Sequence, residues 1–259
     1  MKKILMLLAL VAIAVTTAQA QLSLYEKKEL VANQDTLRYR ALAPENIRKD
    51  MKYPLVVFLH GAGERGIDNE KQLTWGGQMF LNPVNRAKYP AYVVFPQCPE
   101  DGYWAYPSRP VSLMPNEMPV LNEPTKQIKL IKALINEYIG RGLVDADRVC
   151  IIGLSMGAMA TYDFVSRYPD MVASAVAICG TVNPSRLKNA NRVHWRIYHG
   201  DADNIVPVDA SRAAYVELKK RNADVEYFEF PGCNHGSWNP AFNMPDFMKW
   251  IFSNSNQKK

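Results

Sequence analysis

Gly153-Leu154-Ser155-Met156-Gly157 places a serine between two glycines at a point where the chain changes character. Residues 149–154 (VCIIGL) form an apolar run with β-branched side chains at three positions, the composition of a strand buried on both faces. Residues 158–168 (AMATYDFVSRY) follow as an amphipathic helical run that stops at Pro169. The serine therefore falls at a strand-to-helix turn, the setting in which this motif presents a nucleophile. Glycines let the backbone turn sharply, and the helix N-terminus beneath favours developing negative charge.

A serine hydroxyl at neutral pH needs a base, and the base needs an orienting acid. In this strand-turn-helix arrangement the order along the chain is serine, acid, histidine. Of the four histidines, His60 precedes the serine and His194 enters a strand from its far end. His199 ends that strand with no acidic loop between it and Ser155, so its expected role is structural. His235 remains as the base, in the loop Pro231-Gly232-Cys233-Asn234-His235-Gly236. The acid belongs to the segment His199-Gly200-Asp201-Ala202-Asp203-Asn204-Ile205-Val206-Pro207, where Asp201 and Asp203 both qualify by position. Asp209 reads instead as the N-cap of the next helix. Acyl transfer also needs two backbone N–H donors at the oxyanion. Met156, the residue after the serine, supplies one, and Ala62 of Leu59-His60-Gly61-Ala62-Gly63 is the expected second. His60 is expected to brace that loop, together with a local Glu64–Arg65 ion pair, the other reading of these two being that they bind a charged substrate.

These residues need a scaffold, and the hydrophobic rhythm describes it. An alternating run at residues 36–42 reads as one arm of an N-terminal antiparallel hairpin. Strand-like runs follow at 55–59, 92–95, 149–154, 173–178, 195–198 and 225–230. Helical stretches at 125–139, 158–168, 209–221 and 244–252 fill most of the gaps. Such alternation implies right-handed crossovers and an α/β fold with a mostly parallel central sheet covered by helices on both faces. Chemistry then collects at the carboxyl ends of the strands. Two long segments, 61–89 and 96–124, follow the first two buried strands there, and segments of that length are commonly functional.

At 259 residues the chain suits one such domain. Residues 1–20 read as a signal peptide: Lys2-Lys3, an apolar stretch over 4–15, and Ala18-Gln19-Ala20 as the cleavage site. The domain then runs over 21–259, and the expected location is periplasmic or extracellular, with no stable membrane anchor. Cleavage removes two lysines from a formal charge of +6, leaving +4, with no Lys/Arg-rich run to suggest nucleic-acid binding. Cys98, Cys150, Cys179 and Cys233 are expected to be free thiols, since two lie in apolar strand-like runs. No metal-ligand spacing occurs, and the chemistry implies no cofactor.

The stretches Val57-Phe58-Leu59-His60-Gly61-Ala62-Gly63-Glu64-Arg65-Gly66, Gly153-Leu154-Ser155-Met156-Gly157, His199-Gly200-x-x-Asp203-x-x-Val206-Pro207 and Cys233-Asn234-His235 together resemble the α/β-hydrolase superfamily. Nearest are compact exported esterases and predicted peptidases beside the phospholipase/carboxylesterase group, the single-domain feruloyl esterases and the prolyl-oligopeptidase catalytic domain. The resemblance spans nearly all of the chain after residue 20. It implies an α/β-hydrolase fold and a Ser155–Asp203–His235 triad, with Asp203 the acid because it precedes x-x-Val-Pro. No β-propeller precedes the domain and no segment reads as a long helical lid, unlike many peptidase and lipase relatives. The expected activity is hydrolysis of short-chain, aromatic or polysaccharide-linked esters. A serine peptidase, a lysophospholipase or thioesterase, and a non-catalytic binding protein are the other readings. Trp75, Tyr103, Trp104, Tyr106 and Trp238 fall in the loops that follow the strands, and Trp104 and Trp238 are the expected pocket walls.

Overall fold

The computed structural model describes residues 22–32 and 34–256, so the signal-peptide expectation for residues 1–20 lies outside the described residues. Eight strands form one sheet in the order β1-β2-β4-β3-β5-β6-β7-β8. They are β1 (Glu26–Ala32), β2 (Asp35–Leu42), β3 (Tyr53–Leu59), β4 (Tyr92–Pro96), β5 (Val144–Leu154), β6 (Ser174–Ile178), β7 (His194–Gly200) and β8 (Val225–Phe230). β1 and β2 pair antiparallel as a hairpin, β2 pairs antiparallel with β4, and every other pairing is parallel.

Among the described residues seven α-helices complete the fold: α1 (Gly77–Leu81), α2 (Pro83–Lys88), α3 (Lys126–Gly140), α4 (Met156–Arg167), α5 (Asp209–Lys220), α6 (Trp238–Phe242) and α7 (Phe247–Ser253). Strand alternation divides the core. In β3, Leu55, Val57 and Leu59 pack on the face covered by α3, α4 and α5. Val56 and Phe58 point to the opposite face, against residues of α1, α6 and α7. Both faces of β3 are buried, which is why its sequence is apolar throughout rather than alternating.

The structure departs from the sequence reading in several places. β1 carries Glu26, Lys27, Lys28 and Glu29, and only Leu30 is buried, so hydrophobic patterning hides this edge strand. The two long loops contain short helices, α1 and α2 among them, below the length at which a period shows. The stretch 244–252 becomes a helix only from Phe247, with a separate turn of helix at Trp238–Phe242. Asp209 is the first residue of α5 rather than its cap; its carboxylate accepts from Arg212 at 2.9 Å. All four cysteines are free thiols. Among the described residues no helix is long and apolar enough to cross a membrane.

Candidate active site

Ser155 stands between β5 and α4 with φ 52° and ψ −116°, a conformation an L-residue adopts only when its surroundings enforce it. The surroundings do so by close packing. A Cβ at Gly153 would meet the Gly157 carbonyl oxygen at 2.1 Å, and one at Gly157 would meet the Leu59 carbonyl oxygen at 1.9 Å. Both glycines of the motif are thus needed for α4 to start this close to β3 and β5. The Ser155 N–H donates to the Ile178 carbonyl at 2.8 Å, which fixes the turn from below.

The loop after β8 brings His235 to the serine, with Nε2 2.9 Å from Ser155 Oγ. Its Nδ1 lies 2.7 Å from Asp203 Oδ2, in the loop after β7. With Nδ1–H donated to the carboxylate, Nε2 is left to accept from the serine hydroxyl. Asp203 is thoroughly fixed: its side chain is fully buried, and the Ile205 and Val206 N–H groups donate to Oδ1 at 2.8 and 3.0 Å. Burial alone would raise its pKa, but hydrogen bonds from His199, His235, Val206 and Ile205 outweigh that effect and hold the carboxyl well below the usual range. Asp201 is exposed and accepts from the Gly232 N–H at 2.6 Å, where it ties the β7 loop to the β8 loop.

His199 is wholly buried, with Nδ1 2.7 Å from Ser211 Oγ and Nε2 3.1 Å from Asp203 Oδ2. It supports the carboxylate that holds His235. Cys179, not singled out by its sequence, has φ 45°, and its Sγ lies within 4.8 Å of ligand atoms of Asp203 and His235. The latter two already bond to each other, so this grouping belongs to the Ser155–His235–Asp203 hydrogen-bonded chain.

The opposite wall comes from the loop after β3. His60 is buried and bonded on both ring nitrogens, Nδ1 to the Gly61 carbonyl at 2.6 Å and Nε2 from the Cys98 N–H at 3.0 Å. Burial pushes its pKa down to about 4 against the opposing pull of the Gly61 bond, so the ring is neutral. Glu64 and Arg65 do not pair with each other as expected. Arg65 donates to the carbonyls of Ala62, Glu100 and Gly102. Glu64 accepts from Trp75 Nε1 at 3.0 Å. Burial raises the Glu64 carboxyl above its ordinary value, against these hydrogen bonds. Ala62 opens a 3-10 turn and Met156 opens α4, so each N–H lacks an acceptor within its own helical turn.

These parts enclose a cleft of about 410 Å³, lined by Ala62, Glu64, Trp75, Tyr103, Arg109, Leu113, Ser155, Met159, Ile205, His235 and Trp238 among others. Trp238 lines it as expected, its ring centroid 5.7 Å from that of His235. Trp104 does not. It is fully buried, and its Nε1 donates to the His60 carbonyl at 3.1 Å, so it supports the loop after β3 from within the core. Tyr106 is also buried and lies outside the cleft. Leu113, Met159, Ile205 and Arg109 were not legible as cleft residues, because nothing local in sequence distinguishes them from ordinary loop or helix positions.

The fold and sequence have counterparts in known proteins. The chain is 28% identical to a thermostable esterase of known crystal structure, with a TM-score of 0.83 over 92% of this chain and 64% of that one. It is 26% identical to the carboxylesterase SOBER1 of Arabidopsis thaliana over 71% of this chain and 84% of that protein. NocK of Nocardia uniformis subsp. tsuyamanensis is 26% identical over 62% of this chain, a match that spans only 43% of NocK. Residues 46–251 match the phospholipase/carboxylesterase family model, and these include the oxyanion loop, the serine turn and both loops that carry Asp203 and His235. The chain belongs to the phospholipase/carboxylesterase family of α/β-hydrolases.

Proposed function

We propose that the protein is a serine carboxylesterase that works outside the cytoplasm on short-chain, aromatic or carbohydrate-linked esters. The observation that carries this reading is the unbroken chain from Ser155 Oγ through His235 to the buried Asp203, opening on an aromatic-walled cleft. Ser155 Oγ attacks the ester carbonyl carbon while its proton passes to His235 Nε2. The Ala62 and Met156 N–H groups receive the oxyanion. As the carbon–oxygen bond to the alcohol breaks, His235 returns the proton to the departing oxygen. Water then repeats the sequence on the acyl-enzyme, and the acid is released. Asp203, held ionised by its four hydrogen-bond donors, fixes the tautomer of His235 and stabilises its charged form.

The cleft supports the choice of ester. It is walled by Trp75, Tyr103 and Trp238, and among the described residues there is no long helical lid. The export element of the proposal rests on the sequence of residues 1–20. A panel of p-nitrophenyl acetate, p-nitrophenyl palmitate, methyl ferulate, acetylated xylan and Gly-Pro-anilide tests the reading. Acetate and ferulate esters should be cleaved and lost with Ser155→Ala. Preferred cleavage of the palmitate would make the enzyme a lipase, and of the anilide a peptidase.

A further inference from the structure

The two halves of an ester leave a serine hydrolase by different routes. The acyl half stays on Ser155, whereas the alcohol oxygen must sit against His235 Nε2 to collect its proton. The alcohol is therefore bounded by whatever stands beside the His235 ring. That neighbour is Trp238, which meets the ring edge-on. Trp75 packs against Trp238 with centroids 5.1 Å apart and planes tilted by 48°. The Trp75 indole N–H in turn holds Glu64. A Cβ placed on Gly61 would touch both Glu64 Oε2, at 3.2 Å, and Ser155 Cβ, at 3.6 Å, so the carboxylate lies close to the nucleophile.

This arrangement lacks one component. Glu64 is half-buried and receives hydrogen bonds from Trp75 and the Gly61 backbone, but among the described residues no cationic side chain forms an ion pair with it. Arg65, its sequence neighbour, is committed to three backbone carbonyls. Arg109, which also lines the cleft, acts instead on Tyr103. A carboxylate partly removed from water without a counter-ion is costly, and two indoles beside it attract positive charge through their faces. A neutral sugar or alkyl alcohol would leave that charge uncompensated.

We propose that Glu64, Trp75 and Trp238 form a subsite for the alcohol half of the ester, and that it takes a cationic alcohol. A quaternary ammonium of choline type and a protonated amino alcohol share this chemistry. The assignment rests on the esterase reading above and narrows it.

The test compares acetylcholine, 2-(dimethylamino)ethyl acetate and 3,3-dimethylbutyl acetate at pH 7.5, the last being the uncharged isostere of the first. Wild-type kcat/KM should favour a cationic ester over the isostere by about tenfold. Glu64→Gln should bring that ratio to within about twofold of one, as expected when the charge interaction is removed. A wild-type ratio below about three, or a ratio that Glu64→Gln leaves intact, overturns the assignment. The faster of the two cationic esters identifies the preferred head group. Should Glu64→Gln not fold, tetramethylammonium chloride decides the matter on the wild-type protein. It should inhibit p-nitrophenyl acetate hydrolysis competitively and beyond sodium chloride at equal ionic strength; inhibition no greater than that of sodium chloride overturns the proposal. Hydrolysis of the neutral isostere, lost with Ser155→Ala, separately reports whether the esterase reading stands.

Discussion

The serine turn and the cleft walls are built by different means. At Gly153–Gly157 the constraint is backbone against backbone: a Cβ on Gly157 would lie 1.9 Å from a carbonyl oxygen, and no rotamer change relieves such a contact. The walls are side chains from separate segments of the chain: Trp75 and Trp238 pack together across a large sequence distance, and Tyr103 lines the same cleft. Chemistry is therefore held by positions that admit one residue type, and selectivity by positions that admit many. Substitutions should divide along the same line, with rate and folding damaged in the turn and substrate preference altered in the walls.

The largest effect belongs to the reacting groups. Ser155→Ala and His235→Ala should each lower kcat for p-nitrophenyl acetate by up to about a million-fold, and the double variant should lose little more. Additive losses would mean that the two side chains act independently. Asp203→Asn should reduce kcat by about 10⁴-fold through the wrong His235 tautomer, whereas Asp201→Asn should cost far less. The reverse ranking would move the acid to Asp201.

Next come effects on folding. Gly157→Ala should destabilise the protein by about 3 kcal/mol or more, measured by urea denaturation, because α4 must move away from β3. His60 links stability to pH. Its ring stays neutral in the fold down to about 4, while the unfolded chain takes up the proton near 6.5. The unfolded state thus binds more protons in that window, and stability falls as pH drops through it, by about 3 kcal/mol from this group. The stability of His60→Gln should change less between pH 7 and pH 4; an unchanged slope would show that the ring is not held neutral.

The smallest effect separates the tryptophans. Trp238→Ala should raise KM for methyl ferulate more than for p-nitrophenyl acetate, by about 0.5–1.5 kcal/mol of lost aromatic contact. Trp104→Ala should instead destabilise the fold by about 3–5 kcal/mol, because it empties a core position. A ferulate-specific KM effect from Trp104 would contradict its burial.

The same division explains what could be read in the sequence. Ser155 and His235 were accessible because each sits in a short motif at the end of a strand, and strand ends in a parallel sheet converge; residue types alone left Asp201 and Asp203 both open as the acid, and only the family resemblance favoured Asp203. Their geometry follows from local backbone requirements, which residue type reports directly. Trp104 was misplaced because an aromatic in a loop after a strand can point into the cleft or beneath it. Only the Nε1 bond to the His60 carbonyl decides which. The Glu64–Arg65 pair failed for a related reason: adjacent residues on a tight turn point apart, and each found a partner more distant in sequence. The hairpin was expected, but the bounds of its first arm, β1, were not legible, because an edge strand exposed on one face carries charge where a buried strand carries valine.

The central claim is that Ser155 is a nucleophile activated by His235. Treating the native protein with a fluorophosphonate and mapping the adduct by peptide mass spectrometry tests it without any assumption about the natural ester. The account predicts one covalent adduct, on Ser155, formed rapidly by the wild-type protein and lost or greatly slowed in His235→Ala. Labelling at another residue, or labelling of Ser155 at the same rate without His235, would contradict it.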